Sequence, residues 1–246
     1  VNKVNYRGNT TSGNHDVAVI FSTVPAACGA VFTQNKMCAA PVLVSREVNK
    51  HGYAQAIAVN SGCANACTGE QGLADAKKMQ AHTAELLGIA PEAVFVCSTG
   101  VIGQFLPMDK LLTGIADAVD SLDECEGESC AMAIQTTDTF IKHAAYETEI
   151  GGKKVTFAGI AKGAGMIHPN MCTMLSFVTT DAAIAQPLLL EALQADVCDT
   201  YNMISVDGDT STNDTCLLLA NGMAENPVIS EKNEDYDRFC EALRTV

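Results

Sequence analysis

One stretch constrains the fold more than any other: Ala161-Lys162-Gly163-Ala164-Gly165-Met166-Ile167-His168-Pro169-Asn170-Met171-Cys172-Thr173-Met174-Leu175-Ser176-Phe177. A lysine and two glycines enter a loop, and Pro169 pushes the residue before it to extended geometry, so no helix runs through. Met174-Leu175-Ser176-Phe177-Val178 then reads as a buried strand. Thr173 stands where this loop meets the strand. There the strand fixes a hydroxyl while the loop leaves room for a reacting group. By residue type alone, Thr173 is an ordinary β-branched residue at a strand start.

The flanks supply the rest of the architecture. Residues 16–22 read as a strand, with 30–33 as its hairpin partner after Pro25 and Gly29. Residues 42–44 and 54–59 read as two further strands. Residues 73–87 carry apolar side chains at helical spacing, with Thr83 on the same face, and stop at Gly88. A strand at 93–97 precedes Ser98-Thr99-Gly100, and 107–119 reads as a helix with Pro107 near its first turn. An acidic loop at 120–128, a short helix at 128–135, a strand at 155–161, a helix at 187–202, a strand at 215–220 and a helix from 236 complete the chain. Short strands alternating with helices indicate α/β. No segment repeats, and no Pro, Gly or Ser linker divides the chain.

Two segments invite a metal, and their context argues against it. Cys63 and Cys67 lie four apart in Asn60-Ser61-Gly62-Cys63-Ala64-Asn65-Ala66-Cys67-Thr68-Gly69, but no second Cys/His pair with ligand spacing follows. Asp207-Gly208-Asp209-Thr210-Ser211-Thr212-Asn213-Asp214 begins like a calcium loop, yet Thr212 replaces the glycine such a loop needs and Leu218 its final glutamate. Ser98-Thr99-Gly100 can turn backbone N–H groups and a hydroxyl toward one point, as an oxyanion site requires, or be a simple strand-to-loop turn. Thr136-Thr137-Asp138-Thr139 is hydroxyl-rich and reads as a turn or cap.

Charge narrows the partners. Fifteen basic against 29 acidic side chains give a net charge of −14, which repels phosphate backbones and argues against nucleic acid. No apolar run approaches the roughly 20 residues of a spanning helix, and the first residues lack a signal-peptide plan. The chain starts on Val1, which suggests trimming. Its 11 cysteines, an odd number without repeated spacing, read as reduced buried thiols of a cytoplasmic protein.

The central stretch, together with the 60–69 segment, Cys97-Ser98-Thr99-Gly100-Val101-Ile102-Gly103 and Ser205-Val206 running into 207–214, resembles the ornithine acetyltransferases, also called glutamate N-acetyltransferases. These are self-cleaving enzymes of arginine biosynthesis, and the four segments come in the family's order. The resemblance implies a layered α/β/α sandwich with the new N-terminus inside. It also implies self-cleavage between Cys172 and Thr173, giving an alpha fragment of residues 1–172 and the start of a beta fragment at 173–246. Thr173 would be the nucleophile that carries acetyl from N-acetylornithine to glutamate. Thr99 and Gly100 would form the oxyanion hole, Lys162 would bind the substrate carboxylate, and Thr136 or Thr137 would assist. No cofactor is implied, although Ile167-His168-Pro169 is similar to members that also accept acetyl-CoA. The implied assembly is a heterotetramer of two alpha and two beta fragments.

The chemistry is coherent. A threonine hydroxyl needs a base, and an N-terminal amine can serve; scission before Thr173 would free that amine on the nucleophile itself. Two departures stand out. Cys172 replaces the alanine of many members, and the chain stops before the family's later substrate-binding segments. Two other readings remain: an N-terminal-nucleophile aminopeptidase or amidase on the same threonine, and an uncleaved, non-catalytic small-molecule binding module.

Overall fold

The computed structural model describes residues 15–123, 127–167 and 174–246. Seven strands form a continuous mixed sheet: β1 (Val17–Phe32), β2 (Tyr53–Cys63), β3 (Val94–Val101), β4 (Lys142–Ile150), β5 (Lys153–Lys162), β6 (Leu175–Thr180) and β7 (Thr215–Ala220). Among the described residues, six α-helices accompany them: α1 (Ala40–His51), α2 (Gly69–Leu87), α3 (Met108–Asp120), α4 (Gly127–Ala133), α5 (Gln186–Asp199) and α6 (Glu234–Thr245). Among the described residues, no helix is long and apolar enough to cross a membrane.

The strand order is β3-β2-β1-β7-β6-β5-β4, but the sheet cannot be flat. β3 and β5 are five places apart, which at about 4.8 Å per step would separate them by roughly 24 Å. Instead, Lys162 at the end of β5 donates a hydrogen bond to Thr99 of β3. The fold-over occurs in β1. Its first half pairs with β2, its second half with β7, and the register with β2 slips between Phe21 and Ala26. Pro25 falls inside that slip, where its missing N–H breaks no ladder, and the extra residues bend the strand.

The apolar clusters match two stacked half-sheets. Ile57, Val59 and Phe95 of one half pack with Phe177, Leu217 and Leu219 of the other in one middle layer. Outside the first half, Met79 of α2 and Leu111 and Ile115 of α3 cover Ala56, Val94 and Val96. Outside the second, Leu189 and Leu193 of α5 and Phe239 of α6 cover Phe157 and Leu218. The expected layered α/β sandwich is therefore present, with its β layer doubled. α1 guards the edge strand β3: Ser45 Oγ donates to Val96 O at 2.7 Å and accepts from Val96 N at 3.0 Å, as a neighbouring strand would.

Three local expectations fail. Residues 16–22 and 30–33 are not a hairpin but two ends of β1, because Pro25 and Gly29 bend the strand without reversing it. Residues 42–44 are helical. Pro41 sits in the first turn of α1 and Gly52, at φ 74°, closes it, so the tertiary burial of Ala40, Val44 and Val48 outweighs the β preference of three nearby valines. β4 has no counterpart among the expected strands. It is mostly exposed and lacks a clear apolar alternation, although Gly151-Gly152 before β5 marks the hairpin turn. The helix ending at Gly88, the strand at 215–220 and the helix over 107–119 appear within a few residues of expectation.

Candidate active site

The folded-over sheet brings the ends of β2, β3 and β5 to one place. β2 and β3 run parallel there, with Ser61 beside Thr99 and Gly62 beside Gly100. Gly100 has φ 132°, and a Cβ on it would lie 2.2 Å from the Gly62 carbonyl carbon, so only glycine fits.

A chain of buried amides ties these ends to the segment before β7. Ser98 Oγ donates to Asn60 Oδ1 at 2.6 Å, and Asn60 Nδ2 to Cys63 O at 2.8 Å. Asn213 Nδ2 donates to both Ala64 O (2.7 Å) and Ser98 O (2.8 Å), while Thr212 Oγ1 donates to Asn213 Oδ1. Asn60, Cys63 and Ala64 thus brace the strand ends that border the site.

Lys162 enters from the other half-sheet. It is buried, with 4% of its surface exposed, and its Nζ donates to Thr99 Oγ1 at 2.9 Å. Because Thr99 Oγ1 accepts from the ammonium, the hydroxyl proton remains available to a second acceptor. The loop after Lys162 is stapled twice. Asp138 Oδ1 accepts from Gly163 N at 2.8 Å and pairs with Lys142 at 2.5 Å, and Oδ2 accepts from Thr136 N. Burial pushes the Asp138 carboxyl up, but Lys142, the Gly163 and Thr136 N–H groups and the Lys162 charge together hold it below the ordinary value. Asp207 accepts from the N–H groups of Met166 (2.5 Å) and Ile167 (2.9 Å).

These elements enclose a cavity of about 420 Å³. Thr99, Gly100, Thr136, Thr137 and Lys162 all line it, together with Ser211, Thr212 and Asn213. Thr136 is half-buried and Thr137 exposed. Thr99 and Lys162 also border a small gap shared with Met174 and Asp214. Thr173 and Cys172, the expected nucleophile and its leaving partner, lie outside the described residues, and Met174 is the residue bonded to Thr173.

Asn213 and Asp214 were not singled out from the sequence as site residues, nor were Asp138 and Asp207 as loop staples. For Asn213, Asp214 and Asp207 the nearest sequence signal is the run of short polar residues at 207–214, which carries the family resemblance as a segment without assigning those side chains a role, and for Asp138 it is the hydroxyl-rich 136–139 segment.

The ArgJ family pattern matches residues 3–246 of the chain. The arginine biosynthesis bifunctional protein ArgJ of Caldanaerobacter subterraneus subsp. tengcongensis is 54% identical over 231 residues, which cover 94% of this chain and 57% of that protein. The chain therefore spans under three-fifths of the length of such relatives. Among solved structures, ArgJ of Bacillus halodurans superposes with a TM-score of 0.59 at 47% identity, covering 65% of this chain and 83% of that one. The ornithine acetyltransferase of Mycobacterium tuberculosis, solved with ornithine, gives a TM-score of 0.58 at 36% identity, covering 69% and 89%.

Proposed function

The chain belongs to the ArgJ family, and from that premise we propose that it carries the acyl-transfer site of a self-cleaving glutamate N-acetyltransferase in arginine biosynthesis. The observation that carries the reading is the buried Lys162–Thr99 hydrogen bond beside Gly100, whose two side chains line both the large cavity and the small gap that Met174 borders.

In the processing step the Thr173 hydroxyl attacks the Cys172 carbonyl. The C–N bond breaks as the C–O bond forms, and water hydrolyses the resulting ester. Cys172 keeps a carboxylate, and Thr173 keeps its hydroxyl and gains a free α-amine. Such an amine has an ordinary pKa of ~7.7–8.0, suited to taking the hydroxyl proton near neutrality. In turnover, Thr173 Oγ attacks the acetyl carbon of N-acetylornithine, and the amine passes its proton to the departing ornithine nitrogen. Glutamate's α-amine then attacks the acetyl ester and leaves as N-acetylglutamate. Acetyl-CoA is proposed as a second acetyl donor to the same threonine.

Thr99 and Gly100 would receive the oxyanion of each tetrahedral intermediate: the Thr99 hydroxyl, held by Lys162, and the Gly100 N–H, unshielded by a side chain. One missing donor of this kind costs on the order of ~100–1000-fold in rate. Lys162 would attract the substrate carboxylate, and Thr136 or Thr137, which line the same cavity, would assist. Scission need not separate the fragments. β6 and β7, from residues 173–246, pair with β5 and β1 from residues 1–172, so one sheet binds both. A heterotetramer of two such pairs in the cytoplasm is the proposed assembly.

Intact mass, N-terminal sequencing and acetyl exchange on the full-length protein test the reading. Wild type should split before Thr173 and form N-acetylglutamate, and Thr173→Ala should do neither. A new terminus at Cys172 would reassign the nucleophile. Amide hydrolysis without acetyl transfer would replace the transferase by a peptidase.

A further inference from the structure

Asp214 is buried beside the site and has no part in the acyl transfer described above. Its two oxygens differ. Oδ1 accepts the Met174 N–H at 2.9 Å, whereas Oδ2 is buried and, among the described residues, has no partner at hydrogen-bonding distance, the Ser211 side chain acting on the carboxyl only from farther off. The carboxyl borders a gap of about 10 Å³ shared with Thr99, Lys162 and Ser211, close to the size that admits a single water (about 10–15 Å³). Burial pushes the Asp214 carboxyl up to about 8, against the pull of the Met174 N–H, Ser211 and the Lys162 charge. A residue needed only to tie down Met174 would use one oxygen; a second buried oxygen left unsatisfied is unfavourable unless it serves another purpose.

We infer that Asp214 is a positioning residue of the acyl-transfer site: Oδ1 fixes the amide that follows the nucleophile, and Oδ2 orients the Lys162–Thr99 pair across the gap. The inference rests on the function proposed above.

Asp214→Asn in the full-length protein separates the two contributions. The asparagine carbonyl can still accept the Met174 N–H, but a neutral NH₂ donor replaces an oxygen that carries charge above about pH 8, where the rates are compared. Self-cleavage and kcat should both fall at least tenfold, with KM for N-acetylornithine within twofold and stability near neutral pH no lower than wild type. Rates are taken per folded molecule, with folding followed by circular dichroism, so that lost structure is not counted as lost chemistry. Wild-type-like cleavage and kcat in Asp214→Asn would overturn the inference alone, as would a loss of rate that only tracks a loss of stability. A wild-type protein that neither cleaves nor exchanges acetyl would instead overturn the function on which it rests.

Discussion

Lys162 Nζ and Thr99 Oγ1 stand 2.9 Å apart, although their strands are five places apart in the sheet. The contact exists because β1 bends at Pro25 and folds the sheet over its own apolar middle layer. Closing the core and assembling the site are therefore one event.

Thr99→Val should affect both. It keeps the side-chain shape but removes one acceptor of a buried ammonium. Stability should fall by roughly 1–3 kcal/mol, read from urea unfolding. Acetyl exchange should slow by about 100–1000-fold.

Two glycines with positive φ should respond differently to alanine. At Gly100 the added carbon would meet the Gly62 backbone at 2.2 Å, whereas at Gly103 (φ 80°) nothing lies within 4 Å. Gly103→Ala should cost only the backbone strain, roughly 1–2 kcal/mol. Gly100→Ala should cost more than about 3 kcal/mol or give no folded protein. Denaturation midpoints of the two variants check the order.

Asp214 predicts a pH dependence of stability. Its folded value of about 8 lies above an unfolded value of about 3.9, so the folded state holds the proton more tightly. The contribution is fully present below about pH 4, declines as pH rises, and is gone above about pH 8. Asp138, held low, runs the other way, losing its contribution as acid protonates it. Between pH 5 and 9, Asp214→Asn should unfold with a flatter pH profile than wild type. An unchanged slope would contradict the assignment.

Ser45→Ala tests the guarded sheet edge. One hydroxyl satisfies both the N–H and the C=O of Val96. Removing it from a fully buried position should cost roughly 1–3 kcal/mol with little change in acetyl exchange per folded molecule. Urea titration and rate measurement on the same sample check both halves.

What was legible in the sequence was local. Apolar spacing over 73–87 and the glycine at 88 announce the helix observed over 69–87, and the apolar run 216–220 announces the strand at 215–220. Thr99, Gly100, Thr136 and Lys162, named as candidates from their segments, all line one cavity. α1 was hidden because its valines favour strands when read alone, and β4 because an exposed edge carries no apolar alternation. Asn213 was hidden for a different reason: its partners Ser98 and Ala64 lie 115 and 149 residues away.

By itself, the sequence determined the α/β class and most of the element types, which follow from short-range periodicity and turn residues; the candidate side chains came from its resemblance to a family. Only the tertiary structure decided that one sheet doubles back on itself, that Asn213 ties β2 to β3, and that Asp214 holds the Met174 amide. Those depend on which distant surfaces bury each other, and burial is a property of the packed chain, not of any window along it.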